Sequence, residues 1–248
     1  MVDHRALEIE ADRILDVVGK AGLTLRLVGS VAILRRCPNH AFLASSNRGK
    51  LVEIREVLSG LEIELIAQGD LRIDDADETA GTFVENALLK ARHAAQTSGL
   101  PALGDDSGIC VDSLGGAPGL YSARYAGAHG NARANIDKLL SELREVPEAR
   151  RTAHFYCVIV VLRSADDPAP LIAEGRWHGR ILDAPRGNGG FGYDPVFYDL
   201  ELRIGAAELD ASIKNRVSHR GQALARMREL LSGAFAPAKT GEQRLAGA

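Results

Sequence analysis

The longest purely apolar run of the chain, Phe155 to Leu162, is followed after a short break by a second strand-like run, Leu171 to Ile181. The first is far shorter than the roughly 20 residues that span a bilayer, so it is a buried strand candidate rather than a membrane segment. Ser164-Ala165-Asp166-Asp167-Pro168 lies between the two runs and is rich in turn formers. Ala153–Leu162 and Leu171–Ile181 are therefore expected to pair as an antiparallel hairpin. A hairpin here weakens a purely parallel, Rossmann-like reading. Upstream, the strand candidates His40 to Ser45, Leu61 to Ile66 and Ile109 to Asp112 alternate with segments of helical period, the pattern of a mixed α/β domain.

Four helices are predicted from His40 onward, beyond an amphipathic helix suggested by Leu7, Ala11, Ile14, Leu15 and Val18. The first follows Asn47 and places Leu51, Ile54 and Leu58 on one face. The second starts on a capping box, Thr82 with Glu85, and carries the stripe Phe83, Ala87, Ala91 and Ala94 before Ser98-Gly99-Leu100-Pro101 ends it. A third runs through Asn135 to Leu140 and a fourth from Gln222 to Leu231.

Composition sets the outer limits. The chain has 248 residues, 46% hydrophobic and 25% charged, which excludes disorder and collagen-like repeats. A formal net charge of −3 argues against an extended nucleic-acid surface, which needs an excess of Lys and Arg, but leaves room for one small anion. Cys37, Cys110 and Cys157 are too scattered for a disulfide framework or a zinc site. The charged start Met1-Val2-Asp3-His4-Arg5 does not fit a signal peptide, and the chain is read as cytoplasmic, with no membrane partner.

Several polar clusters interrupt this pattern. Gly104-Asp105-Asp106-Ser107-Gly108 places two adjacent carboxylates in an expected turn just before an apolar strand. Such a pair suits a divalent cation, although Asp and Gly also make ordinary turns. Glu78 precedes the capped second helix, where it either serves a site or compensates the helix dipole. Asn86 and Lys90, four residues apart on that helix, project from one face.

Ser45-Ser46-Asn47-Arg48-Gly49-Lys50 offers hydroxyls, an amide and a lysine at a strand-to-helix junction, a setting for phosphate. It is not a Walker A loop, because Ala44 and Leu51 stand where that motif needs Gly and Ser or Thr. Gly187-Asn188-Gly189-Gly190-Phe191-Gly192 matches the dinucleotide fingerprint in letters alone, since Tyr193-Asp194-Pro195 and a strand follow rather than a helix. Phe191 and Tyr193 there either flank a flat base or pack in the core. Lys214 and Ser218-His219-Arg220 are expected just ahead of the last helix, where Arg suits a phosphate or carbonyl edge.

Taken in order, these motifs resemble the Ham1-like family of non-canonical purine nucleoside triphosphate pyrophosphatases. The resemblance runs from about Phe42 to Leu230. It rests on Ser45-x-Asn47-x-x-Lys50, Glu78-Thr79 with Thr82-Phe83-x-x-Asn86-Ala87-x-x-Lys90-Ala91, Asp105-Asp106-Ser107-Gly108, Gly190-Phe191-Gly192-Tyr193-Asp194-Pro195-Val196-Phe197, and Ser218-His219-Arg220-x-x-Ala223-Leu224. It implies an elongated α/β fold, a mixed sheet with two lobes flanking a central active-site cleft, and a homodimer. It implies hydrolysis of inosine, deoxyinosine and xanthosine triphosphates to the monophosphate and pyrophosphate with Mg²⁺.

The implied roles follow the motifs. Ser45, Ser46, Asn47, Arg48, Gly49, Lys50 and Lys90 hold the triphosphate, Glu78 and Asp106 serve the metal, and Asp106, Asp105 and Lys90 are the catalytic residues, with Asp106 accepting the proton of the attacking water. Ser107 contacts substrate; Phe191, Gly192, Tyr193, Asp194 and Lys214 line the base and sugar pocket; His219 and Arg220 favour a 6-oxo purine. A non-catalytic nucleotide sensor with the same pocket is the competing reading. A serine hydrolase on Ser107 and His219 would lack the Gly-x-Ser-x-Gly elbow.

The pyrophosphatase domain is placed at residues 39–231, with residues 232–248 a tail without hydrophobic periodicity, expected to be disordered. Residues 1–38 form an N-terminal extension that departs from the family. Its Leu25-Arg26-Leu27-Val28-Gly29-Ser30-Val31-Ala32 faintly resembles the opening of a nucleotidyltransferase-like domain but lacks the acidic pair, so no chemistry is assigned to it.

Overall fold

The computed structural model of the protein describes residues 41–44, 48–59 and 65–234. The expectations for residues 1–38, for Ser45, Ser46 and Asn47, for the side chains of Arg48 and Gly49, for Cys37 and for the chain after Ala234 lie outside the described residues.

One seven-stranded sheet runs through the described residues in the order β2-β1-β3-β4-β5-β6-β7. Its strands are β1 (Ala41–Ala44), β2 (Leu65–Ala67), β3 (Ala102–Val111), β4 (Thr152–Leu162), β5 (Leu171–Ile181), β6 (Phe197–Asp199) and β7 (Ile204–Gly205). β1 is parallel to β2 and β3, whereas β3 to β7 form a continuous antiparallel meander. The expected hairpin is the centre of the sheet, with Phe155 opposite Trp177 and Val161 opposite Leu171. Asp167 closes its turn by accepting hydrogen bonds from the Arg163 backbone and guanidinium and from the Ala169 amide.

Among the described residues five helices surround the sheet: α1 (Arg48–Val57), α2 (Phe83–Ser98), α3 (Ala132–Glu142), α4 (Ala211–Val217) and α5 (His219–Ala234). α2 begins where the capping box placed it, the Thr82 hydroxyl accepting from the Glu85 amide at 3.3 Å, and ends at Gly99 in the left-handed conformation. Its buried Ala87 and Ala91 lie against Val158, Val160 and Leu162. On the opposite face, Ile54 of α1, Leu58 just past its end, and Ala223, Leu224 and Met227 of α5 pack on Leu103, Cys157 and Ile159.

A second apolar cluster lies further along that same face, where Ile109, Val111, Phe155 and Trp177 meet Leu139 of α3 and Phe197. Between the two clusters the inward row Leu103, Asp105, Ser107, Ile109 turns polar. That interruption of the core is where the site forms.

Three local expectations need correction. Gly104-Asp105-Asp106-Ser107-Gly108 is no turn ahead of a strand but the middle of β3, in register with Val160, Ile159, Val158, Cys157 and Tyr156. Tertiary pairing with β4 overrides the poor strand propensity of Gly, Asp and Ser. Gly104 serves contact rather than turning, because a Cβ there would sit 2.3 Å from the Ala87 carbonyl oxygen of α2. The last helix starts at His219, so His219 and Arg220 occupy its first turn instead of preceding it, and the separate helix α4 carries Lys214. It also runs on to Ala234, three residues into the expected tail, Ser232 to Ala234.

Candidate active site

Successive residues of a strand face opposite sides of the sheet. Asp105 and Asp106 therefore enter two different charge networks. Asp105 points toward α1 and α5, where Lys50 Nζ lies 3.0 Å from its Oδ2 and Arg220 Nε 3.6 Å. Burial would push its carboxyl up, but Lys50, Arg220 and Lys90 together hold it below the usual carboxylate range.

Asp106 points toward α2. Lys90 Nζ lies 2.8 Å from its Oδ1 and donates also to the Asp105 carbonyl at 3.2 Å, while Asn86 Nδ2 reaches Asp106 Oδ2 at 3.5 Å. The same ammonium is 2.6 Å from Glu78 Oε1, and the other Glu78 oxygen takes Arg124 Nη1 at 2.9 Å. Asp106, Lys90, Glu78 and Arg124 thus form a chain of alternating charge. Burial raises Asp106 above the usual range despite Lys90, whereas Lys90 and Arg124 outweigh burial and lower Glu78. For Lys90, burial is overcome by Asp106, Asp105 and Glu78, which keep it firmly protonated.

The other end of the site is built from α1, α4, α5 and the loop before β6. Lys214 Nζ bonds Asp194 Oδ2 at 2.7 Å and Glu53 Oε1 at 3.1 Å; Arg220 bonds Glu53 Oε2 at 2.6 Å and the Ser107 hydroxyl at 2.9 Å. Asp194 in turn accepts the Phe191 amide at 2.7 Å, and Lys214 stands 4.6 Å from the Phe191 ring centre. His219 stacks on Phe155, ring centres 4.7 Å apart and planes within 10°. Its Nδ1 is buried with no hydrogen-bond partner among the described residues. Burial, then Arg220, Lys214 and Lys50, hold the imidazole neutral, well below the ordinary histidine range.

Both ends open into one cavity of about 550 Å³, of a size to hold a small organic ligand. It puts carboxylates and a lysine at one end and an aromatic, hydrogen-bonding slot at the other. Hydrolysis of an anionic ligand carrying a flat ring is chemistry this arrangement can perform.

The Ham1 family model matches residues 41–230. The chain belongs to the Ham1 family. Among its relatives, the dITP/XTP pyrophosphatase of Xanthomonas campestris pv. campestris (strain 8004) is 59% identical over 192 residues, covering 77% of this chain and 96% of that protein. That of Halorhodospira halophila (strain DSM 244 / SL1) is 57% identical over 191 residues, or 77% and 94%. The solved HAM1 protein from Coxiella burnetii superposes with a TM-score of 0.74 at 48% identity, covering 79% of this chain and 99% of that one. The Staphylococcus aureus Ham1 protein gives 0.70 at 36% identity, covering 79% and 100%.

Within this Ham1 chain, Lys50, Glu78, Lys90, Asp105, Asp106 and Ser107 all line the cavity, as do Phe191, Gly192, Tyr193, Asp194, Lys214, His219 and Arg220. Tyr193 does so from the core: it is buried among Ile109, Phe155 and Phe197, and its hydroxyl donates to the Ser122 carbonyl at 3.0 Å. Phe191, partly exposed, is the ring left to face a ligand. Sequence reasoning missed Glu53 and Arg124. Glu53 follows Lys50 by three residues on one helix face, a local signal that could have raised it; Arg124 carried none.

Proposed function

We propose that this Ham1 chain hydrolyses non-canonical purine nucleoside triphosphates (ITP, dITP and XTP) to the monophosphate and pyrophosphate, removing deaminated purines from the nucleotide pool. Water adds across the anhydride between the α and β phosphorus atoms, and Asp106 takes its proton. The observation that carries the reading is the single cavity joining the Asp106–Lys90–Glu78 cluster to the Phe191, His219 and Arg220 slot. Asp106 suits the base because burial raises its proton affinity while Lys90 and Asn86 orient it.

Lys50 and Lys90 balance phosphate charge together with the Ser45, Ser46, Asn47, Arg48 and Gly49 segment, and Asp105 sets the position of Lys50. Glu78 and Asp106 fit Mg²⁺: their oxygens are hard donors already converging on one cation, Lys90. Among the described residues no group of three His, Cys, Asp or Glu side chains gathers to hold a metal. When bound, the ion supplies charge neutralisation at the phosphate oxygens.

At the base end, Arg220 donates one N–H of each terminal nitrogen to Glu53 and Ser107, which leaves the second N–H of each for a 6-oxo group, and His219 offers an unengaged nitrogen. An amino group at that position would meet a donor instead of an acceptor, which disfavours adenine. The reading takes the two apolar clusters as the cores of two lobes flanking the cleft, and the active form as a homodimer. No helix among the described residues is long and apolar enough to cross a membrane.

The test is product identity. Inosine triphosphate, ATP and GTP are incubated with the protein with and without Mg²⁺, and pyrophosphate and orthophosphate are measured separately. Mg²⁺-dependent pyrophosphate, formed much faster from inosine triphosphate, is expected. Orthophosphate, or equal rates on ATP, would refute the register or the base pocket, and no product would favour a nucleotide sensor.

A further inference from the structure

Arg124 is engaged in none of the roles above, yet it lines the same cavity and holds the outer oxygen of Glu78. Its backbone is unusually well fixed. It ends the 3-10 turn Gly119–Arg124, and the residues around it are tied down from three sides. Asn135 of α3, only 3% exposed, donates from Nδ2 to the carbonyls of Ser122 and Ala123 and accepts the Ala126 amide at 2.7 Å. The Tyr193 hydroxyl also donates to the Ser122 carbonyl, and the Ser122 hydroxyl accepts the Ile109 amide of β3 at 3.0 Å while donating to the Gly119 carbonyl.

The side chain is treated differently from its mount. It is 30% exposed, its guanidinium lies 5.3 Å from the Tyr121 ring centre, and one nitrogen is tied to Glu78. A fork of five donors on a fixed backbone, at the open end of a phosphate site, matches the oxygens of a diphosphate. Glu78 is also a residue that a metal would claim. A cation taking Glu78 weakens its hold on Arg124 and leaves a guanidinium facing the cavity.

We propose that Arg124 is a binding residue for the departing pyrophosphate, stored on Glu78 until the metal-bound nucleotide draws that carboxylate away. This rests on the pyrophosphatase reading. The arginine then holds the outer phosphates on the side away from Lys50, and lets them go when Glu78 recovers it.

The experiment measures binding of inorganic pyrophosphate with Mg²⁺, and separately of inosine monophosphate, by calorimetry on the full chain and on Arg124→Gln and Arg124→Lys. Loss of one charge-assisted contact is expected to weaken pyrophosphate by about tenfold or more in Arg124→Gln, with the monophosphate within about twofold. Arg124→Lys recovers part of the loss, since it restores charge but not the fork. Unchanged pyrophosphate affinity in Arg124→Gln, or an equal fall for both ligands, would overturn the proposal. Should Arg124→Gln fail to fold, Arg124→Lys carries the comparison: selective weakening of pyrophosphate supports the proposal, and unchanged affinity overturns it. The two readings fail separately, because turnover of inosine triphosphate by the unaltered protein tests the activity and the binding comparison tests Arg124.

Discussion

Glu53 should be a main structural tie at the Lys214–Arg220 end of the cavity, and its removal gives a quantitative test of the site geometry. Its carboxylate takes Lys214 Nζ on one oxygen and Arg220 Nη1 on the other, at 3.1 and 2.6 Å. Arg220 is 2% exposed, so its charge has almost no water to fall back on. Two hydrogen bonds to charged groups would each be worth about 1.5–3 kcal/mol, and stranding a buried partner costs more than an exposed one. The loss is moderated because Lys214 keeps Asp194 at 2.7 Å and Arg220 keeps the Ser107 hydroxyl at 2.9 Å.

Glu53→Ala is therefore expected to destabilise by roughly 3 kcal/mol, and Glu53→Gln by about half that, since the amide still fills the space and offers one acceptor. For a domain of this size the alanine change corresponds to a fall in Tm of about 6–12 °C. Urea unfolding with an unchanged m-value reads it directly. Glu56→Ala is the control. One turn on along α1, Glu56 is exposed and accepts from Asn215 at 2.7 Å, a contact worth less than about 1 kcal/mol. A Glu53→Ala loss no larger than that of Glu56→Ala would refute the argument that Glu53 bridges two buried cations.

Asp106→Asn is expected to keep nucleotide binding within about tenfold while removing most turnover, because it deletes the proposed base and keeps its shape; steady-state kinetics beside a binding titration checks this. Gly175→Ala would place a Cβ 2.1 Å from the His219 carbonyl oxygen of α5, and is expected to cost about 3 kcal/mol in chemical denaturation, lifting that helix from β5. His219 titrates below its unfolded value, so the unfolded chain binds the extra proton. Stability from this group is complete above about pH 6.5 and falls by up to about 1.4 kcal/mol per unit below it. Comparing unfolding at pH 7 and pH 5 should show a shallower decline in His219→Gln; equal slopes would contradict a neutral buried imidazole.

What could be read in the sequence was local. The Thr82–Glu85 cap, the Gly99 stop and the Asn86–Lys90 spacing are decided within a few residues, and each is found in the structure as expected. The Asp105–Asp106 motif was legible as a polar cluster, and it does line the cavity, but it was misplaced as a turn. What makes it a strand is β4, some fifty residues further on in the chain and paired along all of β3. A glycine flanking two aspartates signals a turn by propensity alone, whereas Gly104 is there because α2 comes within contact of β3.

Glu53 and Arg124 show the same limit in the charges. Glu53 meets its partners across 161 and 167 residues of sequence, and Arg124 meets Glu78 across 46. No spacing rule reaches that far. These two residues also explain how the recognisable motifs can share one cavity. Lys214 and Arg220 would repel each other in a buried pocket, as would Asp106 and Glu78, unless an opposite charge stood between or beside them. Glu53 separates the first pair and Lys90 the second, with Arg124 closing the chain at the solvent end. Charge balance thus demands residues that the motifs do not include, and a chain with every motif in place but Glu53 replaced would hold Lys214 and Arg220 on a looser frame.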